Sequence, residues 1–203
     1  MAHAALWLKG IQTDYVIAAD RGGDTALSLG LPIDLLIGDL DSVRDPDGVK
    51  EAADEVRIFS AEKDDTDTGL ALRTAIEMKP ERIFILGGTG QRLDHTFTTV
   101  MSLMQTLESG VHCEIVDANN RIYIKDRDFS IAKKEQYGDF VSFVPVGTGA
   151  VLSLEGFRYD GVRVNVPLGS TLCQSNEVAA DTAYVKVHEG VILVFESREQ
   201  ALI

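Results

Sequence analysis

Two acidic runs hold the densest chemistry in the chain: Gly38-Asp39-Leu40-Asp41-Ser42 and Lys63-Asp64-Asp65-Thr66-Asp67. Carboxylates one or two residues apart repel each other unless something positive lies between them. The first run follows the apolar residues 35–37, at the carboxyl end of a candidate strand, which is where ligands bind in open α/β sheets. The second follows the candidate strand at 56–59 and opens a helix-like segment, whose N-terminal dipole favours negative charge. Taken singly, each run has a plain explanation, a polar turn for the first and dipole complementarity for the second.

A third loop, Gly87-Gly88-Thr89-Gly90-Gln91-Arg92-Leu93-Asp94-His95, also lies between a strand-like and a helix-like segment. Its glycines let backbone N–H groups approach phosphate oxygens, and Arg92 adds a planar donor fork. The Walker spacing G-x-x-x-x-G-K-[ST] is absent. His95 reads either as a proton acceptor or as a structural hydrogen-bonding residue at a helix start. A fourth loop, Ala19-Asp20-Arg21-Gly22-Gly23, follows the first candidate strand and adds Asp20 to the same acidic rim. Each of the first three loops thus delivers carboxylates from a strand end, and two of those three also carry a cation, Lys63 or Arg92. The set reads as a Mg²⁺-phosphate site, because Mg²⁺ takes oxygen ligands from a few carboxylates, phosphates and water. With no cluster of Cys or His, zinc is disfavoured.

These loops need a scaffold. Candidate strands at 15–19, 35–38, 56–59, 82–86 and 113–116 alternate with helix-like segments at 25–29, 47–53, 68–78 and 96–107, the pattern of βα units. In the segment 68–78, Leu70, Ala71, Thr74, Ala75 and Met78 repeat at helical spacing, with Asp67 as a candidate cap and Gly110 as the stop of the last helix. Beyond about residue 120 the texture changes to short strand-like runs at 121–125, 140–144, 150–154, 162–166, 183–188 and 191–196. The expected fold class is an α/β N-terminal domain with a mainly parallel sheet over residues 1–125, followed by an all-β sandwich or barrel C-terminal domain over residues 126–203. The polar run from Gly169 to Glu177, which includes Ser175 and Asn176, reads as a loop within the β half.

Composition narrows the partners. A formal charge of −13 opposes binding to a nucleic-acid backbone, which needs a Lys/Arg surface. The apolar runs are far shorter than the roughly 20 residues of a membrane span, and no signal peptide is read at the N-terminus, so the expected location is cytoplasmic. Cys113 and Cys173 lack metal or redox spacing and read as buried thiols.

The order of the quoted runs, Ala-Asp-Arg-Gly at 19–22, Gly-Asp-Leu-Asp-Ser at 38–42, Lys-Asp-Asp-Thr-Asp at 63–67, Arg-Leu-Asp-His at 92–95 and Ser-Asn-Glu at 175–177, resembles that of the thiamine pyrophosphokinases. The resemblance spans about residues 14–195. It implies transfer of pyrophosphate from ATP to the hydroxyl of thiamine, in a homodimer with thiamine at the subunit interface. It further implies Asp39, Asp41 and Asp67 as Mg²⁺-associated and catalytic carboxylates, with Asp94 at the reaction centre. Asp20, Gly22, Ser42, Lys63, Asp64, Thr66, Thr89, Arg92 and His95 are implied to face ATP or its phosphates, and Ser175 and Asn176 to lie near thiamine. Gln91, Thr99 and Gly69 depart from the family's pattern, and residues 4–11 read as a helix where relatives have a strand and a glycine-rich loop. Two rival readings are a pyrophosphokinase for another alcohol, such as a hydroxymethylpterin, and a non-catalytic nucleotide- or metal-sensing module.

Overall fold

The computed structural model describes residues 13–59 and 65–199, so the expected helix at 4–11 lies outside the described residues. Strands β1 (Ile17–Ala19), β2 (Ile33–Gly38) and β3 (Ala53–Ile58) form a parallel sheet in that order, with Ile17 opposite Leu35 and Leu36 opposite Val56. The central strand is apolar on both faces: Ile33, Leu35, Leu36 and Ile37 are all buried. A parallel strand covered by crossovers on both sides requires this. The crossovers are α1 (Gly22–Leu29) and α2 (Pro46–Glu51), and Ala26 and Val49 close the small core against Ala18 and Leu36.

Helix α3 (Asp67–Glu77) is capped by Thr66 rather than by Asp67. The Thr66 hydroxyl accepts the Gly69 N–H at 3.1 Å from an extended backbone, while Asp67 is already helical. The hydroxyl one residue earlier reaches the free N–H, so Asp67 keeps its carboxylate for other contacts. The helix expected at 96–107 is two helices, α4 (Leu93–Met101) and α5 (Leu103–Ser109), divided at Ser102, whose hydroxyl donates to the Thr99 carbonyl at 2.7 Å. Gly110 ends α5 in the left-handed conformation, as expected of a glycine stop.

The remaining strands depart from a single mainly parallel sheet for the first half. Strands β4 (Arg82–Leu86) and β5 (His112–Val116) pair in parallel, but they belong to a second, seven-stranded sheet that is mostly antiparallel. The reason is a tight turn after β5 that returns the chain as β6 (Asn120–Lys125), antiparallel to it, with Ile115 opposite Ile122. The sheet continues through β10 (Thr182–Ser197), β8 (Phe140–Glu155) and β9 (Gly161–Pro167), and β7 (Phe129–Ala132) also pairs with β10. Four of the short strands expected from sequence merge into the two 16-residue strands β8 and β10. Their glycines mark bends rather than breaks. Gly190 has φ +85°, a side chain there would overlap the Gly149 carbonyl, and the β8–β10 register shifts on either side of Glu189.

Alternation along β10 serves two cores. Ile192 and Val194 pack with Phe143, Leu152, Val166 and Val185 inside the folded-over sheet, whereas Leu193 and Phe195 pack with Ile83, Leu103 and Ile115 under the helices. Cys113 and Cys173 are free and buried. No helix among the described residues is long and apolar enough to cross a membrane.

On the same face of β10 as Ile192 and Val194 sits Glu196, which is only 1% exposed. Its carboxylate accepts from the Arg121 guanidinium at 2.7 and 2.8 Å, from the Tyr123 hydroxyl at 3.0 Å and from the Tyr137 N–H at 2.8 Å. A buried charge is tolerable when so fully paired, and removing one partner leaves it uncompensated. Arg121→Met should therefore lower unfolding free energy by about 3–5 kcal/mol in urea titrations. A loss below about 1 kcal/mol would show that the pairing is not what makes this burial tolerable.

Candidate functional site

Parallel strands begin and end in register, so the residues that follow β1 and β2 emerge side by side. Asp20 follows β1 and donates its N–H to the Ile37 carbonyl at 3.0 Å. Its carboxylate accepts the Leu40 N–H at 3.3 Å, which draws the loop after β2 over it. Both loops are tight: Asp20 has φ +45° and Leu40 φ +63°. From the start of α3, Asp67 brings its carboxyl into hydrogen-bonding contact with that of Asp20. Gly38 forms the floor. A side chain there would overlap the Asp20 carboxylate and stand 3.3 Å from Asp67 Oδ1. Asp39 accepts the Asp41 N–H at 3.1 Å in a local turn, and Asp41 and Ser42 are exposed.

Two carboxyls in contact in a half-buried place cannot both ionise freely. Burial first, and then the hydrogen bond and charge of Asp67, push the Asp20 carboxyl up from 3.8 to about 6, against the Leu40 N–H. Asp39 adds to the rise. Among the described residues no three His, Cys, Asp or Glu side chains form a ready metal cluster. The pair does fit Mg²⁺, which is held by one or two carboxylates together with substrate phosphates and water. Lys63 and Asp64, the other charged candidates of this loop, lie outside the described residues. Gly22 opens α1 just beyond Asp20, and Thr66 is used as the cap of α3.

The loop after β4 is held separately. The Thr89 hydroxyl donates to Asp117 at 2.7 Å, and the Gly90 N–H donates to the Thr96 hydroxyl at 3.0 Å. Arg92 and Asp94 pair through two hydrogen bonds, at 2.7 and 3.3 Å, and both are well exposed, as is His95. Their hydrogen bond raises the Arg92 guanidinium and holds the Asp94 carboxyl below its ordinary range. Of the aspartates singled out by sequence, the structure brings Asp20 and Asp67 into contact, leaves Asp39 acting on Asp20 only through its charge, and gives Asp94 its own arginine partner.

In the β half, Asn176 is buried and its amide is fully engaged. Its oxygen accepts from the N–H groups of Tyr159 and Glu177 at 3.0 and 2.9 Å, and its nitrogen donates to the Tyr159 carbonyl at 2.8 Å. Ser175 is exposed at φ +54°. A cavity of about 130 Å³ lies beside them, lined by Tyr159, Asp160, Leu172, Cys173 and Gln174 among others. Sequence reading missed Asp117. The signal was present, since it directly follows the apolar strand β5 as Asp39 follows β2.

The chain is similar to known proteins over most of its length. Residues 8–115 match the model of the thiamin pyrophosphokinase catalytic domain, and residues 128–192 that of the thiamin pyrophosphokinase vitamin B1 binding domain. A thiamine pyrophosphokinase of Bacillus subtilis is 30% identical over 187 residues, 90% of this chain and 87% of that protein. Its crystal structure superposes with a TM-score of 0.88, covering 95% of this chain and 92% of that one. A thiamin pyrophosphokinase from Geobacillus thermodenitrificans, also 30% identical, has a TM-score of 0.83 with 97% and 93% covered.

Asp20 also sets a pH dependence. A carboxyl whose folded pKa is raised contributes stability that is complete below its unfolded pKa, near 3.8, and lost as pH rises through about 6. Asp20→Asn cannot ionise and escapes that loss. With chelator present, its melting temperature should exceed that of the parent at neutral pH, and the gap should close toward pH 4. A gap independent of pH would contradict the carboxyl pairing.

Proposed function

Because this chain belongs to the thiamin pyrophosphokinase family, we infer that it is a thiamine diphosphokinase that transfers the pyrophosphoryl group of ATP to the hydroxyl of thiamine. The products are thiamine diphosphate and AMP. The observation that supports this reading best is the contact of Asp20 with Asp67 over the side-chain-free floor of Gly38, with Asp39 beside it. A carboxylate pair of this kind suits a phosphate-bound divalent cation.

The proposed chemistry is an in-line displacement. The thiamine oxygen bonds to the β-phosphorus as the bond from that phosphorus to the bridging oxygen of AMP breaks, and the hydroxyl proton passes to a carboxylate. Asp39, Asp41 and Asp67, together with Asp20, which touches Asp67, are proposed to hold Mg²⁺, which would supply charge neutralisation to the phosphates. Asp20, Gly22, Ser42, Lys63, Asp64 and Thr66 are proposed to surround the nucleotide on this side. Arg92, His95 and the backbone of Thr89 are proposed to meet its phosphates from the loop after β4. Arg92 brings a guanidinium whose partner Asp94 is exposed and exchangeable. Asp94, which Arg92 holds below the ordinary carboxylate range, and Asp67 are the two candidate proton acceptors.

Residues 1–125 are proposed as the ATP- and Mg²⁺-binding unit, and residues 126–203 as the thiamine-binding and dimerisation unit of a cytoplasmic homodimer. Ser175 is proposed to face thiamine directly. Asn176, whose amide is spent on Tyr159 and Glu177, is proposed to shape the same subsite through the Tyr159 loop.

Purified protein incubated with thiamine, ATP and Mg²⁺ should form AMP and thiamine diphosphate one for one, and chelation should stop it. Asp39→Asn should lower kcat by about 10²-fold or more with circular dichroism unchanged. AMP formed without thiamine diphosphate, or full activity in folded Asp39→Asn, would overturn the assignment.

A further inference from the structure

The turn after β5 contains a hydrogen-bonded cluster that the proposed reaction leaves without a role. One oxygen of Asp117 accepts the N–H groups of Asn119 and Asn120 at 2.7 and 2.8 Å, and the Asn120 amide at 3.1 Å. The other accepts the Thr89 hydroxyl at 2.7 Å, across 28 residues of sequence, and again the Asn120 amide at 3.1 Å. The Asp117 carbonyl accepts the Tyr137 hydroxyl, and the chain beyond is tied down where the Arg198 N–H donates to the Asn119 carbonyl at 2.9 Å and the Ser197 hydroxyl to Asn120 at 2.8 Å. A turn of this kind needs only one carboxylate oxygen. The second oxygen reaches into the glycine-rich loop.

That loop needs a tether. Three of residues 87–90 are glycine, which gives backbone amides access to a ligand and leaves the free loop with many conformations to lose. Thr89 is the residue among them whose side chain can be gripped, and a hydroxyl donating to an ionised carboxylate makes one of the stronger protein hydrogen bonds. The hydroxyl proton, once given to Asp117, is not available to a phosphate, so Thr89 orients the loop rather than donating from its side chain. We propose that Asp117 is a positioning residue for the nucleotide's phosphates, acting through Thr89 to fix the loop at residues 87–92. The proposal rests on the reading above that this loop meets ATP.

The test is Mg²⁺-ATP binding by calorimetry together with steady-state kinetics on Thr89→Val, Thr89→Ser and Asp117→Asn. Thr89→Val keeps the shape and removes the donor. It should weaken Mg²⁺-ATP binding and raise KM for ATP by on the order of tenfold, with KM for thiamine unchanged and the fold intact by circular dichroism. Thr89→Ser should restore both values, and Asp117→Asn should weaken ATP binding at least as much as Thr89→Val. A Thr89→Val protein that binds Mg²⁺-ATP like the parent, a serine variant that fails to rescue, or an equal rise in KM for thiamine would overturn the proposal, as would a parent protein that binds no Mg²⁺-ATP. A parent that binds Mg²⁺-ATP without making thiamine diphosphate would sink the proposed reaction alone, and the calorimetric comparison would still decide the role of Asp117.

Discussion

Two carboxyl groups, Asp20 and Asp67, are held against each other in a half-buried place, and the surrounding fold is arranged to keep them there. Like charges this close cost free energy unless a proton or a cation intervenes, so the contact persists only because other interactions fix both backbones. Gly38 has no side chain to separate them, Asp20 is pinned by the Ile37 carbonyl and the Leu40 N–H, and Thr66 caps the helix that delivers Asp67. Beneath them lies β2, with Leu35, Leu36 and Ile37 almost entirely removed from solvent. The rigidity of that strand is what lets the loops above it carry strained backbone at Asp20 and Leu40.

The two sheets are joined largely through α3. Its first residue is Asp67, it packs on β1 and β2, and its Leu72 lies in the same core as Ile83, Leu103 and Ile115 of the larger sheet. One helix therefore sets the position of the carboxylate pair relative to the loop that carries Arg92. The dipole at the N-terminus of α3 also eases the presence of a negative charge at Asp67. On the far side, the Asp117 turn and the Glu196 network connect β5, β6 and β10 to Tyr137, so the loop after β4 is supported from the β half as well.

Much of this was legible in the sequence because it is local. The continuous apolar run of β2, the helical spacing of Leu70, Ala71, Thr74 and Ala75, and acidic residues directly after strands all report on nearest neighbours along the chain. The contact of Asp20 with Asp67 is not local, and neither is the transfer of β4 and β5 to the antiparallel sheet, since strand order is decided by the β5–β6 turn and long-range pairing. Gly149 and Gly190 looked like strand ends because a glycine in a strand signals a break or a bend with the same letter. Thr66 took the cap from Asp67 because both residues can cap and only the three-dimensional demand on Asp67 decides between them. Asn176 was read as part of a polar loop, and its burial against Tyr159 could not be read from that run.

The central claim is that the carboxylates gathered over Gly38 form the seat of a metal–nucleotide complex. The most direct measurement is manganese binding in the presence of ATP, followed by electron paramagnetic resonance, in the parent protein and in Gly38→Ala. The parent should sequester Mn²⁺-ATP, and the added methyl, which overlaps the Asp20 carboxylate, should abolish that binding while circular dichroism stays the same. Undiminished Mn²⁺-ATP binding by folded Gly38→Ala would contradict the account, because the ion would then sit somewhere other than between these carboxylates.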